Sequence, residues 1–284
     1  MFNSAPRPKQ GNACYAWGMA STVADVIAVM DQHYPPALAE DWDQVGLIVG
    51  DPAAEVTRIG LAVDPCEATV AEAIERGAQM LITHHPLYLR GTSSVAAING
   101  KGRWVHSLIS NGCALFAAHT NADAAVDGSG AALANLLQLE NMRPLAPNSL
   151  CPELGIGTVG ELPASMSVKE LAHRLKALIP EVPAGITLGG DPDRIVRTVA
   201  LCPGSGDSLF AAVTAAAVDV YITADLRHHP ATDHLWNGGC PLIGLTHFAS
   251  EWPVLVNIRR RLSVQLDIEA YISTIVTDPW VARI

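Results

Sequence analysis

What this chain has little of already excludes several functions. Charged residues make up 16% and aromatic residues 5%, and 18 Lys+Arg face 28 Asp+Glu for a formal charge of −10. So few cations offer no basic stripe to neutralise phosphates, which argues against nucleic-acid or anionic-membrane binding. The one basic cluster, Arg259, Arg260 and Arg261, is short enough simply to face solvent. Cys14, Cys66, Cys113, Cys151, Cys202 and Cys240 include no CxxC and no zinc-type clustering, so unpaired thiols in a reducing cytoplasm are expected. No run reaches the roughly 18 apolar residues of a membrane span. The opening MFNSAPRPKQGNACYAWG is basic but lacks the apolar core of a signal peptide. Residues 1–20 are expected to be a disordered leader, and Met19 could equally be the biological start.

What is present is apolar and compact. Hydrophobic residues make up 49% of 284 residues, enough for one large or two medium domains with cores of their own. Ser21 or Thr22 can cap a helix over about 23–33. RIGLAVD, from Arg58, reads as a buried strand, CEATVAEAIERGA as the helix after it, and QMLITHHP as the next strand and its exit. This strand–helix–strand order predicts an α/β fold with a parallel or mixed sheet. A proline-rich stretch, RPLAPNSLCPELGIG, separates residues 21–145 from 146–284, and the last helices can pack back on the first half. The second half reads the same way: RTVALCPGSGDS, an alanine-rich helix, then DVYITADLRHHP. The shared order, ending both times in His-His-Pro, predicts a duplicated unit with a cleft between the halves.

Chemistry concentrates at strand exits, where parallel sheets deliver functional side chains. His84 and His85 leave the strand MLIT, and Pro86 pulls the chain out of regular geometry so that both rings can turn to one site. AHTNAD places His119 and Asp123 four residues apart, and LTHFASE does the same for His247 and Glu251. Imidazoles and carboxylates at three separate exits suit Zn, Fe, Mn, Ni or Co, and two carboxylates that can bridge fit two ions about 3.5–4 Å apart. His228, His229 and His234 form a second metal-like group or line the cleft. Gly204, Gly206 and Ser208 form a glycine turn that could hold an anion, without the Lys-Ser/Thr ending of a P-loop. His33, His106 and His173 read as helix-face or surface histidines.

In their order, AEDWDQVGLIVG, LITHHPL, AAHTNAD, CPGSGDS, DVYITADLRHH and LTHFASE resemble the NIF3-like family, also called GTP cyclohydrolase 1 type 2 homologs or dinuclear metal centre proteins. The likeness runs from about residue 22 to TDPW. It implies two related α/β domains with a dinuclear metal site in the interdomain cleft, in the short form without an inserted domain. Matched by motif, His84, His85, Asp123, His247 and Glu251 would ligate two divalent ions per subunit, Asp123 bridging them. His119 would stand beside them, and His119 and Glu251 would move protons. The resemblance further implies a toroidal homohexamer and a hydrolase acting on a small anionic or nucleotide-like substrate, GTP among them. A metal-binding adaptor or metallochaperone, or a ring-forming assembly protein, stands as the alternative. Two departures bear on the pocket: Ala224 stands where similar sequences often have glycine, and the CPGSGDS turn is less glycine-rich.

Overall fold

The computed structural model describes residues 20–284, so the Met19 start and all but the last residue of the expected leader lie outside the described residues. Two sheets organise the chain. The first is assembled from β1 (Gly46–Val49), β2 (Arg58–Ala62), β3 (Met80–Thr83) and β4 (Ala114–Ala117), with helices α1 (Val23–His33), α2 (Glu67–Glu75) and α3 (Gly100–Ser110) among them. Helix α4 (Thr120–Ala124) and α5 (Ser129–Leu136) lead to β5 (Glu140–Pro147) and β6 (Gly155–Ser167), then α6 (Val168–Leu178). The second sheet is completed by β7 (Thr187–Gly189), β8 (Ile195–Ser205), β9 (Val220–Ala224) and β10 (Leu242–Leu245), with α7 (Phe210–Ala216) and α8 (His228–Trp236) in the connections. Helix α9 (His247–Glu251), α10 (Val254–Gln265) and β11 (Glu269–Ile272) end the ordered elements.

Local chemistry sets these boundaries. Thr22 caps α1 in a capping box with Asp25, and Val23, Val26, Val29 and Met30 bury one face, as the helical spacing predicts. Ser167 and Glu170 do the same for α6. Strands β3, β4, β9 and β10 are buried at every residue, which is how parallel strands covered on both faces read.

The first sheet runs β1-β4-β3-β2-β11 and the second β5-β6-β8-β9-β10-β7. Strands β4, β3 and β2 are parallel with antiparallel β1 at one edge. In the second sheet β10, β9 and β8 are parallel with antiparallel β7 at the corresponding edge. Register matches too: Ile59 pairs Met80 and Ala62 pairs Thr83, as Val199 pairs Val220 and Cys202 pairs Thr223. The halves therefore share a topology, but their His-His-Pro motifs are out of step. The residues after Thr83 are His84 and His85, whereas those after Thr223 are Ala224 and Asp225. His228 and His229 instead open α8, exposed to solvent.

Two connections cross between the sheets. Strand β5 pairs with β6 in the second sheet and so runs through position 145/146. The chain then returns: α10 packs on α1, and β11 adds to the first sheet parallel to β2. Arg260 and Arg261 both pair with Asp127, at 2.9 and 2.8 Å, pinning α10 to the α4–α5 loop.

The two halves start their inner strands by one device. Gln79 Oε1 accepts from the Thr57 and Arg58 amides, and Asp219 Oδ2 accepts from the Arg197 and Thr198 amides and the Thr198 hydroxyl. Burial opposes the Asp219 carboxylate, but these donors outweigh it and lower its pKa. A depressed carboxylate contributes stability above its unfolded pKa and loses it as pH falls through the folded value. Asp219→Ala is therefore expected to cost about 1–2 kcal/mol at neutral pH. Urea titrations should show that cost shrinking as the pH is taken below about 4; a pH-independent cost would contradict the account.

Candidate metal centre

One strand exit and two short helices aim their side chains at one point. The His84 and His85 amides still donate to Ala62 O and Val63 O, so the backbone follows β2 for two residues beyond β3 while Pro86 turns it away. Both rings nevertheless reach the same cluster, with centroids 5.2 Å apart. His119 caps α4 and Asp123 lies one turn on. His247 opens α9 and Glu251 lies one turn on. Spacing of four residues puts each pair on one helix face.

Every imidazole in the cluster is held by its Nδ1. His84 donates to Ala118 O (2.8 Å), His85 to Asp64 (2.7 Å), His119 to Asp43 (2.9 Å) and His247 to Asp225 (2.7 Å). Carbonyl and carboxylate oxygens only accept, so each Nδ1 carries a proton and each Nε2 is left to take a second proton or a metal ion. Those Nε2 atoms converge. The Nε2 atoms of His85 and His247 are 3.2 Å apart, and Glu251 stands against them at 2.9 and 3.0 Å. His84 Nε2 lies 3.6 Å from both Glu251 and Asp123.

This arrangement is costly without a cation. His84 is fully buried and Glu251 3% exposed, yet His84 Nε2 and Glu251 Oε2 have no hydrogen-bond partner, although His85 Nε2 stands 2.9 Å from that oxygen. A buried polar atom left unmatched costs about 1–3 kcal/mol. Burial also disfavours charge on the rings, but Glu251 and Asp123 outweigh it at His84, and Glu251 and Asp64 at His85, so both pKa values rise. His247 is pushed to about 9 against its burial by Glu251 and Asp225. Glu251 responds in reverse: burial pushes it up, but the His85 and His84 rings hold it well below the carboxylate range. Burial raises Asp123, whose carboxylate accepts from the Ser129 hydroxyl.

Positive charge is what the cluster demands, and two overlapping ligand sets offer it a seat: His84, His85 and His119, and His85, His247 and Glu251. Their donor atoms lie within 4.8 Å of one another in each set. Borderline nitrogen and oxygen donors without cysteine fit a first-row divalent cation. The residues present thus fit a metal.

Structure brings His84, His85, His119, Asp123, His247 and Glu251 together, and leaves His228 and His229 outside. His234 is a core histidine, its ring stacked on Phe210 and hydrogen-bonded to Cys240 O. The Gly204–Ser208 turn is no anion cradle at its first glycine: the Gly204 amide donates to Ser250 Oγ (2.9 Å), and the backbone at Gly204 packs beneath Glu251. Sequence reasoning missed Asp43, Asp64 and Asp225, which orient three of the rings. Asp64 and Asp225 sit at strand exits and were within reach of the same rule; Asp43, in the loop before β1, carried no local signal.

Thr277, in the C-terminal tail, donates to the second oxygen of Asp64 and so braces the carboxylate that holds His85. Outer partners of this kind are worth about 10–100-fold in metal affinity. Thr277→Val is expected to weaken zinc binding roughly tenfold, with Thr277→Ser near wild type by calorimetric titration; equal affinity in both would remove Thr277 from the positioning network.

Above the cluster a cleft of ≈ 1310 Å³ opens, lined from both sheets. The family described as Duf34/NIF3 (NGG1p interacting factor 3) matches residues 21–279. A "GTP cyclohydrolase 1 type 2 homolog" of Streptomyces coelicolor is 47% identical over 271 residues, covering 92% of this chain and 94% of the relative. A protein of the same name from Mycobacterium bovis is 32% identical, covering 92% of this chain and 97% of its own. That alignment spans 372 positions, more than the 284 residues here, so the relative carries residues with no counterpart in this shorter chain. The crystal structure of a Staphylococcus aureus hypothetical protein superposes with a TM-score of 0.84 at 28% identity, covering 92% of this chain and 99% of that one.

Proposed function

The chain belongs to the Duf34/NIF3 family, and from that premise we propose that it is a dinuclear metal-dependent hydrolase of a small, nucleobase-containing molecule, GTP-cyclohydrolase-like as the names of its relatives suggest. The observation that carries this reading is the convergence of three imidazole Nε2 atoms on the buried Glu251, whose Oε2 has no hydrogen-bond partner. His84, His85, Asp123, His247 and Glu251 would hold two ions drawn from Zn, Fe, Mn, Ni or Co. When bound, such ions supply Lewis-acid activation of water and of a substrate oxygen.

The chain's own residues then have distinct tasks. Asp64 and Asp225 fix the tautomers of His85 and His247, so no ring rotation is needed when charge arrives. Ser129 fixes Asp123 in the same way. His119, held at Nδ1 by Asp43, presents Nε2 beside the cluster and can take a proton there and return it. Glu251, whose Oε2 stands 2.9 Å from His85 Nε2, would share that traffic.

No described helix is long and apolar enough to cross a membrane, and the described cysteines are all unpaired thiols, which supports the cytoplasm as the compartment. The same reading takes the protein as a homohexameric ring; sedimentation equilibrium should give six copies. Activity is the direct test. Metal-stripped and Zn-, Mn- or Fe-reloaded protein would be incubated with GTP and a nucleoside panel, with products read by mass spectrometry. Turnover that needs metal and vanishes in folded Asp123→Asn is expected. Loaded protein that turns over nothing would contradict the hydrolase and favour a metal-binding adaptor.

A further inference from the structure

Charge in the cleft is one-sided. Glu40, Asp64, Asp123, Asp225, Glu251 and Asp278 line it, and no Lys or Arg does so among the described residues. Nearby cations are engaged elsewhere: Arg227 with Asp207, and Arg260 and Arg261 with Asp127. Lys101 lines an adjoining pocket that shares Asp64 and His85, its ammonium donating to Leu87 O (2.6 Å), and Arg283 Nη1 lies 3.8 Å from where a Cβ on Gly185 would sit. Two divalent ions would offset four of the six carboxylates and leave the wall negative. A polyphosphate entering such a site meets repulsion in a medium of reduced dielectric, with no guanidinium or ammonium in the cleft lining itself to answer it.

Against that acidic wall stand two indoles. Trp42 and Trp280 line the cleft and are 57% and 65% exposed, although tryptophan is usually covered. Each is tied to the machinery below. Trp42 precedes Asp43, which holds His119, and its ring meets the His119 ring edge-on with centroids 5.9 Å apart. Trp280 follows Thr277, which braces Asp64, and its amide donates to Asp278 Oδ1 (3.0 Å). Leu38, Leu89 and Leu226 add apolar surface to the same cleft.

We propose that the cleft recognises a flat nitrogen heterocycle, uncharged or cationic, held against Trp42 and Trp280, and discriminates against its polyphosphorylated forms. This rests on the hydrolase reading above and narrows it: the base is the recognised part, and a triphosphate is a liability. It departs from the anionic substrate expected from the sequence. Aromatic surface suits a π-faced ligand, since stacking needs no specific hydrogen-bond code.

The test compares guanosine with GTP. Full-length protein, reloaded with zinc and assayed for bound zinc, would be titrated with each by calorimetry at physiological salt. Guanosine is expected to bind at least about tenfold more tightly than GTP. Trp42→Ala and Trp280→Ala should each weaken guanosine roughly fivefold or more, with zinc content unchanged. GTP binding as tightly as guanosine, guanosine indifferent to both tryptophans, or neither probe binding would overturn the proposal. Failure to hold zinc would contradict the metal reading instead. The guanosine-over-GTP order would then be read on the metal-free chain, which keeps the same six carboxylates and both indoles, and a reversed order there would overturn it.

Discussion

The Glu251→Gln variant is expected to bind zinc or manganese at least on the order of a hundredfold more weakly than the parent, with little change in circular dichroism. Glutamine keeps the volume of a 3% exposed side chain, so packing is preserved. What changes is charge and donor pattern. Glu251 lies 2.9 Å from His85 Nε2, 3.0 Å from His247 Nε2 and 3.6 Å from His84 Nε2, so a single carboxylate faces three imidazole nitrogens. An amide supplies no charge there and turns an N–H₂ toward one or more rings. Calorimetric titration of both proteins checks the outcome. Unchanged affinity would place the metal, if any, away from Glu251.

Gly204→Ala is expected to be comparably severe although no side chain is lost. Gly204 has φ +69°, and a Cβ there would fall on Glu251 Oε1 and lie 3.4 Å from His247 Nε2. The left-handed backbone alone costs about 1–2 kcal/mol for alanine. Overpacking adds about 1–3 kcal/mol, because Glu251 is hemmed in by the rings and cannot yield. Thermal unfolding should show the combined loss, and zinc affinity should drop at least roughly tenfold as the carboxylate is displaced. Gly77→Ala is the control: its φ is +65°, but nothing lies within 4 Å of the added Cβ. It should show the strain without the loss of metal. Equal zinc affinity in the two variants would mean that Gly204 serves the turn and not the site.

Sequence reading reached the residues of the cluster because they obey local rules. His84 and His85 end a fully buried strand, and the His119/Asp123 and His247/Glu251 pairs share one helical turn each. The orienting carboxylates were harder to see, since their partners are remote. Asp43 meets His119 across 76 positions and Asp64 meets Thr277 across 213, distances at which spacing carries no signal. Similarity also misled. The two His-His-Pro motifs look equivalent, yet by strand register the position of His85 corresponds to that of Asp225, which is the partner of His247. The polarity of the cleft was hidden for a related reason: a formal charge of −10 says nothing of where the 18 Lys+Arg go, and folding turns several of them to Asp127 and Asp207.

The most direct test of the account is metal analysis of protein purified without added metal or chelator, beside His85→Ala and Asp123→Ala. The account predicts about two divalent ions per chain in the parent, lost in both variants while they remain folded. A parent that carries no metal, and takes up none when zinc, iron or manganese is supplied, would contradict it.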